Sequence, residues 1–569
     1  MIRRLRCFAA LILSLLVAAG QVAAQGKTRY EQRWFYAQYN LLVDKSADEV
    51  VSLINRAGKS GYNGMVLADY KLNILERLPA RYFKNVERVK KAASAAGIEI
   101  IPTVCPIGYS AGILAHDPNL AEGIPVKDAP FVAKAGAVVP IPDPKARFRN
   151  GGLEDAKGDT FAGFAFQDEP GKSSFADSKI THTGKLAVRM QDFKHHPAGN
   201  CRLSQRMKVR PFTCYRFSAW VKTKDLTPVS NFRLLALATG KEGRVLSYYD
   251  DTAKPTMDWT RIEVVFNSLE FTEVALMAGI WGGKSGTLWL DDLEFEELSL
   301  VNVLRRPGCP LTIASDDGKT LFEEGKDYLP VKDAKLGNDP WAGEYKFNHP
   351  GAVIKLTEPS RIKNGQRLRV SWYHPVLTHS YQVMCCLSEP KIYDVMRDQI
   401  KRVNDLLKPK TYWLSHDEIR VANWCKACQD QGQSPGGLLA DNMRQCVELI
   451  KKISPDAEMI VWSDMFDPHH NAVDRYYLVN GSLKNSWEGL PARVGIANWN
   501  GGSAEKSAKW FAGRGHKQVL AGYYDGDLEN FRHWHAATKD VPGIRGFLYT
   551  TWQHKYEHLE EYGKAMLAP

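Results

Sequence analysis

The sequence predicts an α/β fold, a (β/α)8 TIM barrel interrupted after its third strand by a β-sandwich. Three observations carry this. Residues 33–105 alternate strand-like and helix-like runs. From 110 to 385 that rhythm gives way to Gly-, Pro- and Asp-rich sequence with short runs of period two, the pattern of antiparallel strands. Near 388 the strand–helix alternation resumes. Parallel neighbours need a crossover between them, so a β-α-β rhythm reads as a parallel sheet. Three early strands and five late ones supply the eight that close a barrel.

Residues 1–24 form a separate unit. Arg3, Arg4 and Arg6 precede an apolar run from Phe8 to Ala19, and Val22-Ala23-Ala24 offers small residues for cleavage. This reads as a secretory signal peptide with Gln25 as the mature start, and it sends the protein to the periplasm or the medium. The run is shorter than a bilayer span requires, so no membrane span is expected after cleavage. The formal charge of +11 includes the three leader arginines, and the rest is spread without a basic stripe. Nucleic acid is therefore not an expected partner. A mature chain of about 545 residues exceeds one ordinary core, so more than one domain follows. Nothing in the sequence fixes the oligomeric state.

The barrel begins over 25–110. Trp34–Leu42 reads as a strand. Ser46-x-x-Glu49 reads as a capping box opening a helix through Ala57. Gly64–Asp69 is a second strand, Arg81–Ala96 a helix stopped by Gly97, and Ile98–Val104 a third strand. The sandwich spans 145–300, with strands at Cys214–Lys222, Phe232–Ala238, Arg261–Phe266 and Thr287–Leu290. Its segments Asn150-Gly-Gly-Leu-Glu154, His182-Thr-Gly-Lys185 and Gly286-Thr-Leu-Trp-Leu-Asp-Asp292 resemble a carbohydrate-binding jelly roll. That resemblance implies a structural calcium beside Glu154 and Asp292; the alternative is a sandwich that binds nothing and only positions the barrel. Residues 301–385 read as a further small β-rich segment.

The barrel resumes over 386–569. Ser388-Glu-Pro390 opens a helix with Ile392, Val395, Met396, Ile400, Val403 and Leu407 at helical spacing. An apolar strand from Tyr412 follows and stops on Asp417-Glu418. Ser434-Pro435 opens the next helix, and strands follow at Glu458–Trp462, Val494–Asn498, Gln518–Tyr523 and Gly546–Thr551. Nine cysteines lie beyond the leader. Cys425-x-x-Cys428 with the vicinal Cys385-Cys386 admits a four-thiolate zinc site; local disulfides or buried thiols are the other reading.

Adjacent acids at a strand's end reach the rim where a barrel keeps its chemistry. Neighbouring side chains on a regular strand face opposite ways, but a turn at its end lets both reach one pocket. Two such acids can share glycoside hydrolysis if their environments push their pKa values apart. Four later strand ends add Trp462-Ser-Asp464, Asn498-Trp499-Asn500, Tyr523-Tyr524-Asp525 and Thr550-Thr-Trp552. Aromatic faces pack on the C–H faces of sugar rings, so an oligosaccharide or polysaccharide is the expected partner. No metal or cofactor is assigned to the acids. His416 either bonds within the rim or is a satisfied core histidine.

Residues 33–105 and 388–560 resemble family 20 glycoside hydrolases, the β-N-acetylhexosaminidases. The match runs strand by strand: the acid pair Asp417-Glu418 on the fourth, Trp462 with Asp464 on the fifth, Trp499 on the sixth, Tyr523 or Tyr524 with Asp525 on the seventh, and Trp552 on the eighth. The family's sugar-gripping arginine corresponds to Arg33, and its His-x-Gly-Gly segment is replaced by Leu414-Ser415-His416. The resemblance implies a retaining exo-enzyme that uses the substrate's own 2-acetamido oxygen. Asp417 would orient that group, Glu418 would protonate the leaving oxygen and then activate water, and Tyr524 would donate to the acetamido oxygen. Trp462, Trp499 and Trp552 would wall the sugar and Asp525 would hold its hydroxyls. A glycosidase for a non-acetamido sugar and a non-catalytic glycan-binding protein are the alternatives.

Overall fold

The computed structural model describes residues 30–240, 243–248, 253–379 and 381–567. The expected signal peptide lies outside them. Among the described residues no helix is long and apolar enough to cross a membrane.

Eight parallel strands close into a barrel: β1 Gln32–Gln38, β2 Gly64–Ala68, β3 Glu99–Val104, β4 Thr411–Leu414, β5 Glu458–Trp462, β6 Gly495–Asn498, β7 Gln518–Ala521 and β8 Ile544–Tyr549, with β8 paired back to β1. The helices are α1 Asp44–Lys59, α2 Ala80–Ala96, α3 Pro390–Leu407, α4 Pro435–Ile453, α5 Ala504–Gly513, α6 Leu528–Thr538 and α7 Leu559–Leu567. Between β5 and β6 the chain crosses through two short 3₁₀ turns, Asp464–Phe466 and Ser486–Gly489.

Local chemistry sets most boundaries. Gly97 ends α2 in the left-handed region at φ 67°, where glycine has no steric penalty. Pro390 and Pro435 occupy the first turns of α3 and α4, and Ser434 accepts the amide of Gly437. The capping box at Ser46 is not used. Helix α1 starts earlier, at Asp44, whose carboxylate is fixed by Asn85 at 2.8 Å and suits the positive end of the helix dipole.

Period-two alternation divides the strands between two cores. Inward residues Trp34, Tyr36, Val66, Ile101, Trp413, Ile460, Trp462, Val519 and Leu548 fill the barrel. Outward residues such as Phe35, Met65, Tyr412, Val461 and Phe547 pack under the helices. Inside, Trp34, Trp413 and Trp462 meet edge-to-face with centroids 6.5 and 4.8 Å apart, a geometry favoured by the ring quadrupoles. Gly64 opposes Trp34 in register, and a Cβ there would lie 2.4 Å from the indole Cδ1.

The residues between β3 and β4 build three larger antiparallel sheets beside a two-stranded pair, Ala156–Lys157 with Thr160–Phe161. One has five strands, ordered Met257–Asn267, Cys214–Thr227, Ser285–Glu297, Ala187–Met190 and Ser174–Asp177. A second has four, ordered Phe232–Ala238, Glu273–Ile280, Cys201–Lys208 and Phe166–Gln167. Phe217, Val221 and Leu290 of the first and Leu234, Leu276 and Leu203 of the second join one buried cluster. The third sheet differs from the expected domain boundaries, because Ile124–Lys134 and Ala137–Pro140, in a stretch read as antiparallel without a strand being placed there, pair with the 301–385 segment. Ile124–Lys134 runs antiparallel to Arg367–His374, so the outgoing and returning limbs are zipped together from Ile124↔His374 onward. This sheet has its own core of Val126, Phe131, Ile313, Leu368, Val370 and Trp372.

Gly64→Ala is expected to destabilise the protein by about 1–3 kcal/mol through overpacking against Trp34. Urea denaturation measures it, and adding Trp34→Leu should return part of the loss. Equal stability of Gly64→Ala and wild type would contradict this packing.

Candidate active site

Asp417 and Glu418 lie three and four residues past the end of β4. The chain has turned there, and Glu418 sits in the left-handed region at φ 50°. A non-glycine residue held in that region is strained and needs its surroundings to hold it. Those surroundings are hydrogen bonds from every side. Ser415 N donates to Val104 O at 3.0 Å and Ile107 N to Ser415 O at 2.9 Å. Glu418 N donates to Asp464 Oδ2 at 2.9 Å. Buried Gln382, from the returning limb, donates to Gly108 O at 2.9 Å and Glu418 O at 3.0 Å. Gly108 passes so close that a Cβ would lie 1.7 Å from Asp417 O, so only glycine fits.

Both acids open into a cavity of about 710 Å³, and Trp462, Trp499, Tyr524 and Trp552 line it with them. The rings form a continuous wall. Trp499 and Tyr524 stack 5.7 Å apart and 4° from parallel, and Trp552 lies 5.9 Å from Trp462. Of the ten large apolar side chains left exposed among the described residues, Tyr70, Tyr381, Tyr524 and Trp552 all stand at this mouth. Apolar surface concentrated at one concave site marks a ligand position.

The acids sit in different electrostatic settings. Burial first, then the nearby Asp464 and Glu418 charges, push the Asp417 carboxyl up to about 8. Glu418 forms an ion pair with Arg420, with Nη2 at 2.7 Å from Oε1, and accepts the Tyr109 hydroxyl at 2.5 Å. Arg420 is itself buried and donates to Gln382 Oε1 at 2.6 Å. Burial, with Glu418 next, raises the Tyr109 hydroxyl and keeps it a donor. Asp69, pushed up to about 6 by burial, lines the same cavity and ties Leu41 N and Lys71 N to one carboxylate at 3.0 and 2.9 Å.

The other sequence candidates divide into supports and misplacements. Asp464 does not line the cavity. It accepts the Trp499 indole N–H at 3.2 Å as well as Glu418 N, and burial raises its carboxyl. Asp525 accepts Trp552 N at 2.8 Å and the Thr551 hydroxyl at 2.5 Å, so it fixes the rim that carries Trp552. Tyr523 is buried beneath, stacked on Tyr549 at 4.0 Å. His416 points away as a core histidine, buried, 3.0 Å from Asn442 Oδ1 and lowered to about 4. Arg33 lies at the opposite end of β1 from cavity-lining Tyr36 and Gln38, where it donates to Gly61 O and Tyr30 O at 2.6 Å. Its place near the strand's start keeps it from the cavity. Glu154 accepts Lys185 N at 2.8 Å, and Asp292 accepts the Thr183 hydroxyl at 2.8 Å and lies 2.6 Å from His182 Nδ1. The two carboxylates expected to hold calcium are thus engaged by the protein's own donors.

Sequence reasoning missed Tyr36, Asp69, Tyr109, Arg420, His379 and Tyr381. Tyr36 shares the inward face of Trp34, two residues on, and Arg420 lies two residues past the acid pair, so both had a local signal. His379 and Tyr381 return from the far side of the insertion, and nothing near them in sequence points to the rim.

The sequence matches no family profile and no curated protein. Among solved structures, a β-N-acetylhexosaminidase aligns at 12% identity over 34% of this chain and 46% of its own, with a TM-score of 0.25. TmCBM61 in complex with β-1,4-galactotriose aligns at 14% over 27% and 97%, with a TM-score of 0.18. The CBM22-1 xylan-binding domain of Xyn10C from Paenibacillus barcinonensis aligns at 12% over 25% and 90%, also at 0.18.

Asp464→Asn removes one of the negative neighbours that raise Asp417. Ionising Asp417 then becomes easier, so its titration should move down from about 8 while burial keeps it above an ordinary carboxyl. A ¹³C carboxyl titration of the variant measures the shift; an unchanged or higher value would contradict this electrostatic account.

Proposed function

We propose that this protein is a glycoside hydrolase acting outside the cytoplasm, on an interrupted (β/α)8 TIM barrel whose jelly-roll insertion packs beside the rim. The strand order and the two packed antiparallel sheets support that architecture. The observation that carries the activity is the pairing of two carboxyls in contrasting settings on one aromatic-walled cavity: Asp417, raised to about 8, and Glu418, ion-paired with Arg420. Glycoside hydrolysis needs one proton donor and one negative group at the anomeric carbon.

The charge pattern favours roles opposite to those the resemblance implies. Asp417 carries a proton at neutral pH and suits the leaving oxygen. Glu418 suits the developing positive charge. For a terminal 2-acetamido sugar, the acetamido oxygen attacks the anomeric carbon as the glycosidic C–O bond breaks and Asp417 gives its proton to the departing oxygen. Glu418 accepts the N–H of the oxazolinium. Water then opens that ring and returns a proton to Asp417. Tyr524 supplies a hydroxyl on the same wall, kept protonated by burial.

Aryl glycosides with poor and good leaving groups test this. A 2,4-dinitrophenolate needs no proton, so Asp417→Asn should cut turnover of the unsubstituted phenyl glycoside by about 10²–10⁴-fold and spare the dinitrophenyl substrate. Glu418→Gln should damage both. Wild-type activity should fall as pH rises through about 8, because ionising Asp417 removes the donor, and that limb should vanish in Asp417→Asn. The reverse pattern returns the acid role to Glu418. Turnover of 2-hydroxy sugars without inhibition by a thiazoline would sink the acetamido step. Sugar binding with no turnover would make this a glycan-binding protein.

A further inference from the structure

A second cluster of reactive groups lies apart from the cavity and plays no part in the proposed reaction. Glu122, Cys386, Cys425 and Cys428 are buried together, and their ligand atoms all lie within 4.8 Å of one another. Cys386 Sγ is 3.5 Å from both Cys425 Sγ and Cys428 Sγ. Glu122 Oε2 is 3.4 Å from Cys425 Sγ and 3.5 Å from Cys428 Sγ. The expected fourth thiol, Cys385, is not in the set: Glu122 takes that corner, and the Cys309 thiol hydrogen-bonds Cys425 from outside it.

We propose that these four residues bind one tetrahedral divalent metal ion of the zinc class, through three thiolates and one carboxylate. The spacing matches. With metal–sulfur bonds of about 2.3 Å, the S···S edge of a tetrahedron is about 3.8 Å, and with a metal–oxygen bond of about 2.1 Å the S···O edge is about 3.6 Å. The four separations above fall just inside those values, and the other two are no longer than 4.8 Å. Binding displaces the three thiol protons, and that of Glu122 where the carboxyl is protonated, to solvent.

The surroundings fit a metal better than either sequence alternative. All nine described cysteines are free and buried. A disulfide would join two of these three sulfurs and strand the third, although Cys386 is equally close to both others. As a simple core, the cluster would bury a carboxylate oxygen against thiols, which are weak donors. The other oxygen is already placed as an outer shell would place it: Oε1 accepts Trp424 N at 2.6 Å and Cys425 N at 2.9 Å, turning Oε2 to the sulfurs. Three thiolates, a carboxylate and a divalent ion leave a net negative centre. The buried Arg306 guanidinium lies alongside, held by Asn119 O at 2.8 Å and Ala121 O at 3.1 Å.

The ion would join three places in the chain: Glu122 just before the outgoing limb, Cys386 just after the returning limb, and Cys425 and Cys428 in the loop that carries Asp417, Glu418 and Arg420. Its role would be structural, pinning that loop to both ends of the insertion.

The test is the metal content of the untagged full-length chain, measured by plasma mass spectrometry after exhaustive dialysis. A single zinc per chain is expected, and replacement by cobalt(II) should give the intense visible absorption of a tetrahedral thiolate site. Cys428→Ser and Glu122→Gln should lower the content and the cobalt absorption, with a lower Tm. If these variants fail to fold, the wild-type stoichiometry and cobalt spectrum still decide. Substoichiometric metal with freely titrating thiols, or a disulfide among Cys386, Cys425 and Cys428 by peptide mapping, would overturn the proposal. Neither outcome depends on glycosidase activity.

Discussion

The molecule depends on one seam. Barrel closure between β3 and β4 rests on the pairs Trp413↔Thr103 and Leu414↔Val104, which must form across everything between residues 104 and 411. Closing so long a loop costs entropy that grows only slowly with length, yet it is lost in full before the pairs form. The insertion reduces the problem by closing on itself, since Ile124–Lys134 and Arg367–His374 run side by side. Once that stalk has formed, β3 and β4 are joined by two short limbs. The seam extends past the strands through Ser415 and Ile107 and then through Gln382, which bonds both limbs' neighbours. The acid pair sits on the first residues beyond it, so barrel closure and site formation are one event.

Adjacency in sequence does not give Asp417 and Glu418 the same electrostatic setting, although both line one cavity. The turn at Glu418 sends its carboxylate toward Tyr109 and Arg420, while Asp417 stays beside the buried Asp464. One meets a cation, the other burial and a nearby anion, which together push the Asp417 carboxyl up to about 8. Asp464 contributes to both halves of this contrast. It holds the Glu418 amide and the Trp499 indole, and its charge opposes ionisation of Asp417. The strained backbone at Glu418 persists because Asp464 and Gln382 grip the peptide from two sides.

The barrel was legible because alternation and helical spacing are local signals. Glu458–Trp462 and Phe232–Ala238 were readable to the residue, since their flanking turns are written in sequence. The Asp417–Glu418 pair and four aromatic rim residues were legible for the same reason, as each follows a strand end. Arg33 shows the limit. A strand was read there but over Trp34–Leu42, whereas the structure has it over Gln32–Gln38 with Arg33 near its start; a barrel has two ends, and only the direction of β1 separates a rim residue from a base residue. The 124–140 strands were missed because they pair with partners far along the chain. The four-thiolate grouping failed likewise, since vicinal cysteines point apart and the acid that replaces Cys385 is remote in sequence.

The insertion contributes more than bulk to the site. Tyr381 and His379 on its returning limb face the cavity, and the amide of His379 is held by Tyr248 O of the sandwich region at 2.6 Å. Arg244 of the same region bonds Tyr477 O at 2.9 Å, and the Tyr248 and Tyr477 rings lie 4.2 Å apart. Arg420 in turn lies over the Tyr477 ring at 5.0 Å while it holds Glu418. A continuous set of contacts thus runs from the sandwich to the acid. The barrel provides the carboxyls and the aromatic floor, whereas one wall of the cavity and the packing behind Arg420 come from the insertion. Changes in the insertion can therefore reshape the cavity without touching the strands that carry the acids, a division of labour that a barrel permits because its strand ends and its connecting segments vary independently.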